Sequence, residues 1–159
     1  MTHQTPSNTL SNPTSLQRAL NQAEQLCRIR GVRLTALRRR VLELVLSDTK
    51  PKGAYAILDI LRQQDGRTGA PPTVYRALDF LLAQGLIHRL ASCNVFIACR
   101  QPTAHHHGQF LICRCCGHVA ELHSQAVENL LRECALSAGF QVETQMVEIS
   151  GYCKQCQSS

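Results

Sequence analysis

Two Cys-x-x-Cys pairs, Cys113/Cys116 and Cys153/Cys156, constrain the fold of this chain more than any other feature. Four thiolates in two local pairs are the donor set of a tetrahedral structural Zn²⁺ site. The 36 residues between the pairs exceed the ~15–20 of a simple zinc ribbon. A folded segment must therefore lie between the two halves of the site, and we predict a small domain that one zinc ion closes.

One further cysteine could replace a ligand of this zinc site, and two others are predicted to have no part in it. Cys115 stands inside the first pair and offers an alternative adjacent thiol. The two-residue spacing and the glycine directly after the pair favour the outer two thiols as ligands. Cys27 and Cys134 fall on apolar helix faces, where a free thiol packs as a small hydrophobe, so we predict that both are buried.

Charge is unevenly distributed along the 159-residue chain, whose formal net charge is +6. Residues 1–100 carry fourteen Lys and Arg against six Asp and Glu, whereas residues 101–159 carry three against five. A basic surface attracts phosphate backbones before any base is read. This asymmetry favours a polyanion partner for the first part of the chain, although ribosomal or membrane-surface binding would suit the same charge.

The sequence shows no signal peptide and no run of the ~18–20 apolar residues that a membrane helix needs. We therefore expect a cytoplasmic protein with no membrane partner. Nine cysteines in a reducing compartment are poor candidates for disulfides and favour metal ligation or burial.

Composition and periodicity predict an α+β protein of two domains. Residues 1–13 offer little to bury and are expected to form a disordered tail. Residues 14–100 are predicted to form a DNA-binding domain and residues 101–108 a hinge. Residues 109–157 are predicted to form a second, zinc-stapled domain.

Four amphipathic helices are predicted in residues 14–100. The first ends at Gly31, Thr35 caps the second, the third follows Gly53, and Pro71-Pro72 open the fourth. The fourth helix has a buried stripe of four residues: Val74, Leu78, Leu81 and Leu82. Two strand-like runs follow this helix and form a hairpin, which completes a winged helix-turn-helix pattern.

The exposed side of the fourth helix carries Tyr75 and Arg76. The N-terminal part of a recognition helix enters the major groove, where Arg donates twice to guanine. We predict that Arg76 reads a base and that Tyr75 contacts a thymine methyl or a phosphate; an ordinary solvated face is the alternative. Arg38, Arg39 and Arg40 on the second helix would contact the DNA backbone.

A second metal site is predicted from His88 and Cys99. A hairpin loop centred between Cys93 and Asn94 makes these residues direct cross-strand partners, with Cβ atoms ~5 Å apart. A strand His and a buried Cys without a metal are the alternative. Further donors lie in the His105–His107 run and at Glu121, which complete a tetrahedral set of one Cys, two His and a carboxylate. An ion held there by both domains would fix their relative orientation.

In residues 109–157 we predict strands at Phe110–Cys113 and His118–Leu122, a helix at 124–138 and a final strand at Phe140–Ile149. The helix is expected to turn five residues inward: Val127, Leu130, Leu131, Cys134 and Ala138.

The run Pro71-Pro72-Thr73-Val74-Tyr75-Arg76-Ala77-Leu78, the His cluster and Leu111-Ile112-Cys113-x-x-Cys116-Gly117 together resemble the ferric uptake regulator family, over residues 15–157. The resemblance implies a homodimeric, metal-dependent repressor of double-stranded operator DNA, with a winged helix followed by an α+β dimerisation domain. It is strongest to the zinc-sensing branch, which implies control of zinc-uptake genes.

The resemblance also implies roles for individual residues. It implies two Zn²⁺ per subunit, one structural at the four paired cysteines and one regulatory at His88, Cys99, His106 and Glu121. Tyr75 and Arg76 match the base-reading pair, and Thr73 belongs to the same DNA-binding surface. Asp59 and Arg62 match a pair that joins two dimers side by side on DNA; an intrahelical ion pair is the alternative.

The chain departs from iron sensors of the family, which read His-His-His-Asp-His before Leu-Ile-Cys. Gly108, Gln109 and Phe110 stand here instead, so an additional metal site is not expected. A soft thiolate at Cys99 favours Zn²⁺ over Fe²⁺. The alternatives are an iron or peroxide regulator of the same family and a zinc hydrolase; the absence of His-Glu-x-x-His and of a deaminase signature argues against an enzyme.

Overall fold

Five α-helices and five β-strands lie along the part of the chain that the computed structural model describes, residues 13–47, 50–65, 70–99, 101–102 and 108–157. These residues fall into two compact units, 13–102 and 108–157. The predicted α+β class is confirmed. Residues 1–12 of the predicted tail and 103–107 of the predicted hinge lie outside the described residues.

The first unit begins with four helices, each close to its predicted position. They are α1 (Pro13–Ile29), α2 (Ala36–Leu46), α3 (Ala54–Asp65) and α4 (Pro71–Ala83). Gly31 ends α1 with a left-handed φ of +68°, a conformation that glycine adopts without a Cβ penalty. The Thr35 side chain accepts from the Arg38 backbone N–H and caps α2, as predicted.

One apolar core joins these helices. Its members include Leu20 and Cys27 of α1, Val41 of α2, Ile57 of α3 and Leu78 of α4, each at most 1% exposed. Burial of aliphatic side chains from all four helices stabilises the unit by roughly 1.5–3 kcal/mol per side chain. The prediction that Cys27 packs as a core residue is confirmed.

A two-stranded wing follows α4. Strand β1 (Ile87–Leu90) pairs antiparallel with β2 (Val95–Ala98). Lys52, between α2 and α3, forms an isolated bridge with Phe96 and so lies beside β2. Helices and wing together form the winged helix-turn-helix that the sequence predicts.

The second unit contains a three-stranded sheet in the order β4-β3-β5, with β3 (Gly108–Cys113) at its centre. Strand β4 (Val119–Glu121) is antiparallel to β3, and β5 (Met146–Gly151) is parallel to β3. A parallel neighbour needs a crossover connection, and helix α5 (Gln125–Ser137) supplies it. This crossover is the folded segment that the cysteine spacing requires.

Two predictions for the second unit are wrong. The last strand begins at Met146 rather than Phe140, because the Phe140 N–H bonds to the Ala135 carbonyl and closes the end of α5 instead of entering the sheet. The apolar side of α5 does not turn inward: no residue of α5 is buried, and Cys134 is exposed. Among the described residues, none covers that side of the helix.

Among the described residues, no helix combines the length and the apolar character needed to cross a lipid bilayer.

Candidate metal centre and nucleic-acid interface

The four paired cysteines meet at one edge of the second unit. Cys113 is the last residue of β3 and lies beside Gly151 of the parallel strand β5. Because parallel strands end at the same edge of a sheet, the residues after β5 arrive next to the residues after β3. The four Sγ atoms of Cys113, Cys116, Cys153 and Cys156 all lie within 4.8 Å of one another.

The geometry of this cluster fits a zinc ion. A tetrahedron with Zn–S distances of about 2.3 Å has S···S edges of about 3.8 Å. The Sγ atoms of Cys116 and Cys153 are 3.7 Å apart, although neither thiol belongs to the other's Cys-x-x-Cys pair. The donor set is complete within the chain, as a structural site requires.

Local backbone geometry holds the first pair in place. The Cys113 N–H bonds to the His118 carbonyl, and the Gly117 N–H bonds to the Cys113 carbonyl at 3.0 Å. Gly117 has a φ of +71°, which closes the turn without steric cost. The sequence pattern singled out this glycine, and its left-handed conformation explains why a glycine follows Cys116.

The electrostatics of the cluster favour a bound cation. Backbone N–H groups of Cys116 and Cys153 point at the Cys113 sulfur and lower its pKa to about 6. Hydrogen bonding with the thiol of Cys153, followed by those of Cys115 and Cys116, raises the pKa of Cys156. The Cys113 thiolate is thus stabilised, while hydrogen bonding keeps the proton on Cys156. A divalent ion bound by all four sulfurs would displace the remaining protons, because the metal ligand is the thiolate.

The predicted register of the wing is wrong by two residues. His88 pairs with Ile97 rather than with Cys99. The loop is Ala91–Asn94, in which Asn94 takes a left-handed φ of +51° and its side-chain oxygen accepts two bonds from Arg89. The loop is therefore centred one residue earlier than predicted.

The correct register still leaves His88 and Cys99 on one face of the wing. The Cys99 N–H bonds to the Leu86 carbonyl at 3.0 Å, which continues the same ladder. Side chains alternate along a strand, so Cys99 shares its face with Ile97 and lies diagonally from His88. Diagonal neighbours are ~7–8 Å apart between backbones, within reach of long side chains. Cys99 is buried.

Glu121 ends β4 in the second unit. Its side chain is 3% exposed, and its Oε1 lies 3.9 Å from Nε2 of His123. His105, His106 and His107 lie outside the described residues, so the predicted His106 ligand has no described position. The four-ligand regulatory site stays a prediction.

Gln109 occupies the place where the sequence departs from iron sensors. Its side chain is buried, and Nε2 donates to the Ser124 carbonyl at 3.0 Å. Ser124 caps α5, so Gln109 joins β3 to the start of that helix. The residue has a packing role here.

Helix α4 presents the predicted DNA-binding residues to solvent. Thr73, Tyr75 and Arg76 are exposed, whereas Val74, Ala77, Leu78 and Leu81 are buried. The N-cap residue Ala70 makes no side-chain capping bond, and Pro71 and Pro72 occupy the first turn. The two prolines have no N–H, and the Thr73 N–H bonds to the Ala70 carbonyl at 2.9 Å, so only the helix dipole favours an anionic partner at this end.

Tyr55 is a candidate interface residue that the sequence analysis missed. It lies in the first turn of α3, is 68% exposed, and packs edge-on against Tyr75 with ring centroids 6.5 Å apart. A large aromatic side chain outside the apolar stripe of α3 was the available signal. The pair places two exposed rings at the start of the recognition helix.

Two of the three arginines of α2, Arg38 and Arg40, contact other residues of the chain. The Arg38 guanidinium stacks 3.6 Å from the Phe80 ring and donates to the Arg33 carbonyl. Arg40 donates to Glu43 and Gln64, each at 3.0 Å. A role for Arg38 and Arg39 at phosphates stays a prediction.

Asp59 and Arg62 are both exposed on α3. No ion pair joins them in the described part of the chain, where pairs such as Arg40 with Glu43 do form. The intrahelical alternative is not realised in this structure, and both side chains are exposed.

Fold and site together define a winged-helix protein with a thiolate metal centre. The ferric uptake regulator family model matches residues 29–150. The zinc uptake regulation protein of Escherichia coli K12 is 40% identical over 146 residues, which cover 90% of this chain and 84% of that protein. The zinc uptake regulation protein of Mycobacterium tuberculosis H37Rv is 32% identical over 80% of this chain and 97% of that protein.

Solved structures of zinc uptake regulators are similar to this chain in fold. A zinc uptake regulator complexed with zinc and DNA matches with a TM-score of 0.85 and 38% identity, over 90% of this chain and 95% of that one. The crystal structure of holo XcZur matches with a TM-score of 0.80 and 42% identity, over 88% and 97%. The chain belongs to the ferric uptake regulator family. Membership of a family of regulators also confirms the prediction that the chain is not an enzyme.

Proposed function

We propose that this protein is a zinc-dependent DNA-binding repressor that controls genes for zinc uptake. One observation carries the proposal: the same chain combines a four-thiol centre of tetrahedral dimensions with a recognition helix whose solvent side presents Arg76. Its similarity to zinc uptake regulators, one of them complexed with zinc and DNA, supports the same function. A protein that binds operator DNA would act in the cytoplasm.

On the DNA side, α4 would enter the major groove through its N-terminal end. Arg76 would donate to guanine, and Tyr75, supported edge-on by Tyr55, would contact a neighbouring base or phosphate. The hydroxyl of the exposed Thr73 side chain suits a phosphate oxygen. Arg38 and Arg39 would add backbone contacts.

On the metal side, we propose two zinc ions per subunit with different roles. The four paired cysteines would hold the structural ion, which ties the end of β3 to the end of β5. His88, Cys99, His106 and Glu121 would hold the regulatory ion. The structural site must bind more tightly than the regulatory one, or zinc depletion would unfold the second unit before any signal is given.

The regulatory ligands would couple zinc to DNA because they come from both units. His88 and Cys99 belong to the wing, and Glu121 belongs to the sheet of the second unit. Coordination by all of them restricts how the two units can be oriented, with residues 101–108 as the hinge. To raise the DNA-binding form from about 1% to 99% of the population, zinc must bind that form ~10⁴-fold more tightly than the other form. This difference in affinity equals ~5.5 kcal/mol.

The second unit also has the surface that a homodimer needs. Among the described residues, eight of eleven exposed large hydrophobic side chains lie in this unit, including Leu130, Leu136 and Phe140. An exposed apolar surface of this extent marks a protein interface. We propose that a second copy covers it. Asp59 and Arg62 would then join two dimers that sit side by side on DNA.

The experiment is a DNA-binding titration under buffered free zinc. The probe is a fluorescent duplex selected from random DNA by the zinc-loaded protein, and bound metal is counted per subunit. We expect tight binding only at high free zinc and two zinc ions per subunit. Equal binding after removal of the exchangeable ion, or a stronger response to Fe²⁺ than to Zn²⁺, would overturn the proposal.

A matched pair of variants locates the sensor. Cys99→Ala should fold, keep one zinc per subunit and lose the zinc response. Cys93→Ala, in the exposed loop of the same wing, should behave as wild type. A normal zinc response of Cys99→Ala would exclude the proposed regulatory site.

A further inference from the structure

Arg30 joins two segments of the first unit that are far apart in the sequence. It is the first residue after α1, where its N–H bonds to the Leu26 carbonyl at 3.0 Å. Its Nη1 donates to the carbonyl of Gln84, and its Nη2 donates to the carbonyl of Pro102 at 3.2 Å. One guanidinium thus bridges the end of α4 and the segment that follows the wing.

The Gln84 carbonyl lies at the C-terminal end of the recognition helix. Gln84 is the C-cap of α4, and Gly85 turns the chain away with a φ of +63°. Carbonyls at a helix C-terminus lack helical partners and carry the negative end of the dipole. A guanidinium there makes a charge-assisted hydrogen bond and stabilises the end of the helix.

The Pro102 carbonyl lies three residues beyond Cys99, a proposed regulatory ligand. Cys99 is itself tied to the chain just after α4, because its N–H bonds to the carbonyl of Leu86 at 3.0 Å, and the Leu86 N–H bonds back to the carbonyl of Leu81 in that helix at 3.0 Å. The end of the recognition helix is therefore linked to the wing terminus through Leu86 and to Pro102 through Arg30.

We propose that Arg30 is a positioning residue that transmits occupancy of the regulatory site to the recognition helix. This inference rests on the proposed function. When Cys99 is held by an ion, the position of Pro102, three residues further along the chain, is restrained as well. Arg30 then holds the C-terminal end of α4 in the orientation that the DNA groove accepts. Arginine suits this role because its planar fork can serve two carbonyls at once, whereas lysine offers a single charged point.

A purely structural role for Arg30 predicts a different result. If Arg30 only stabilised the helix end, its loss would weaken DNA binding equally at high and low zinc. Coupling predicts that its loss reduces the ratio of the two affinities. This ratio is the measured quantity, and in coupled systems it is typically ~5–150.

The experiment measures operator affinity at high and at low buffered zinc for the full chain and three variants, using the selected duplex as the probe. Arg30→Ala removes both contacts, and Arg30→Lys keeps the charge without the fork. Arg28→Ala is the control, because it removes the same charge two residues earlier, in the last turn of α1, where Arg28 approaches Glu24 at 3.9 Å. Melting temperature and zinc content are recorded for each protein.

We expect the affinity ratio of Arg30→Ala to fall roughly five-fold or more, that of Arg30→Lys to fall less, and that of Arg28→Ala to match wild type. An affinity ratio that is unchanged in both Arg30 variants overturns the inference, even if their operator affinity falls by the same factor at both zinc levels. Should Arg30→Ala melt too early to measure, the ratio of Arg30→Lys decides. A wild-type protein indifferent to zinc would instead reject the proposed function itself.

Discussion

The Sγ atoms of Cys116 and Cys153 lie 3.7 Å apart although 37 positions separate the two residues in the chain. The parallel pairing of β3 with β5 produces this proximity, since it brings Cys113 and Gly151 to the same sheet edge. The β4–α5 crossover is therefore closed at its two ends by one thiol cluster. Loss of that cluster should affect the whole second unit.

The first prediction concerns the structural ion. Cys113→Ser should lose the ion and unfold the second unit, because structural zinc sites contribute on the order of 10 kcal/mol to folding. Metal content by mass spectrometry and thermal melting by circular dichroism are the measurements. Cys115→Ser is the control and should keep both the ion and the melting temperature. Native melting of metal-free Cys113→Ser would exclude a structural role.

The second prediction concerns base recognition. Arg76→Ala should weaken binding to the selected duplex by about 1–3 kcal/mol and leave weak, salt-sensitive binding to any DNA. Arg132→Ala removes the same charge from α5, where Arg132 pairs with Glu128 at 3.1 Å, and should bind normally. Fluorescence anisotropy at several salt concentrations separates the two effects. Unchanged operator affinity of Arg76→Ala would refute base readout.

The third prediction concerns the two tyrosines. Tyr55→Ala removes the ring that supports Tyr75 edge-on and should weaken operator binding by about 0.5–1.5 kcal/mol. Tyr55→Phe keeps the ring and isolates the contribution of the hydroxyl. If Phe restores full affinity, ring packing is the cause; if it binds like Ala, the hydroxyl contacts DNA. Full affinity of Tyr55→Ala would remove this residue from the interface.

The fourth prediction concerns the exposed side of α5. Leu130 is 60% exposed, and Leu130→Glu should raise the dimer dissociation constant by roughly thirty-fold, about 2 kcal/mol, if a second copy covers it. Asn129→Glu introduces the same charge one position earlier on the helix and serves as the control. Sedimentation equilibrium measures the association. A dimer as tight as wild type would place the interface elsewhere.

Local patterns in the sequence determined much of this protein. Thr35 and Gly31 mark helix ends because capping and left-handed conformations depend on single residue types. The stripe of Val74 and Leu78 gives α4 its buried side and so places Arg76 outward. The spacing of the four paired cysteines predicted both the cluster and the folded segment between its halves.

Only the tertiary structure decided the features that depend on long-range contacts. The register of the wing depends on the left-handed conformation of Asn94 in its loop. The alternation of residues along the strands does not predict that conformation. The sequence correctly predicted that α5 has one apolar side but wrongly predicted that this side is buried within the unit. Periodicity identifies an apolar side, but it does not show which chain covers it. The Tyr55–Tyr75 contact and the Arg30 bridge arose for the same reason: they join residues whose separation in sequence carries no periodic signal.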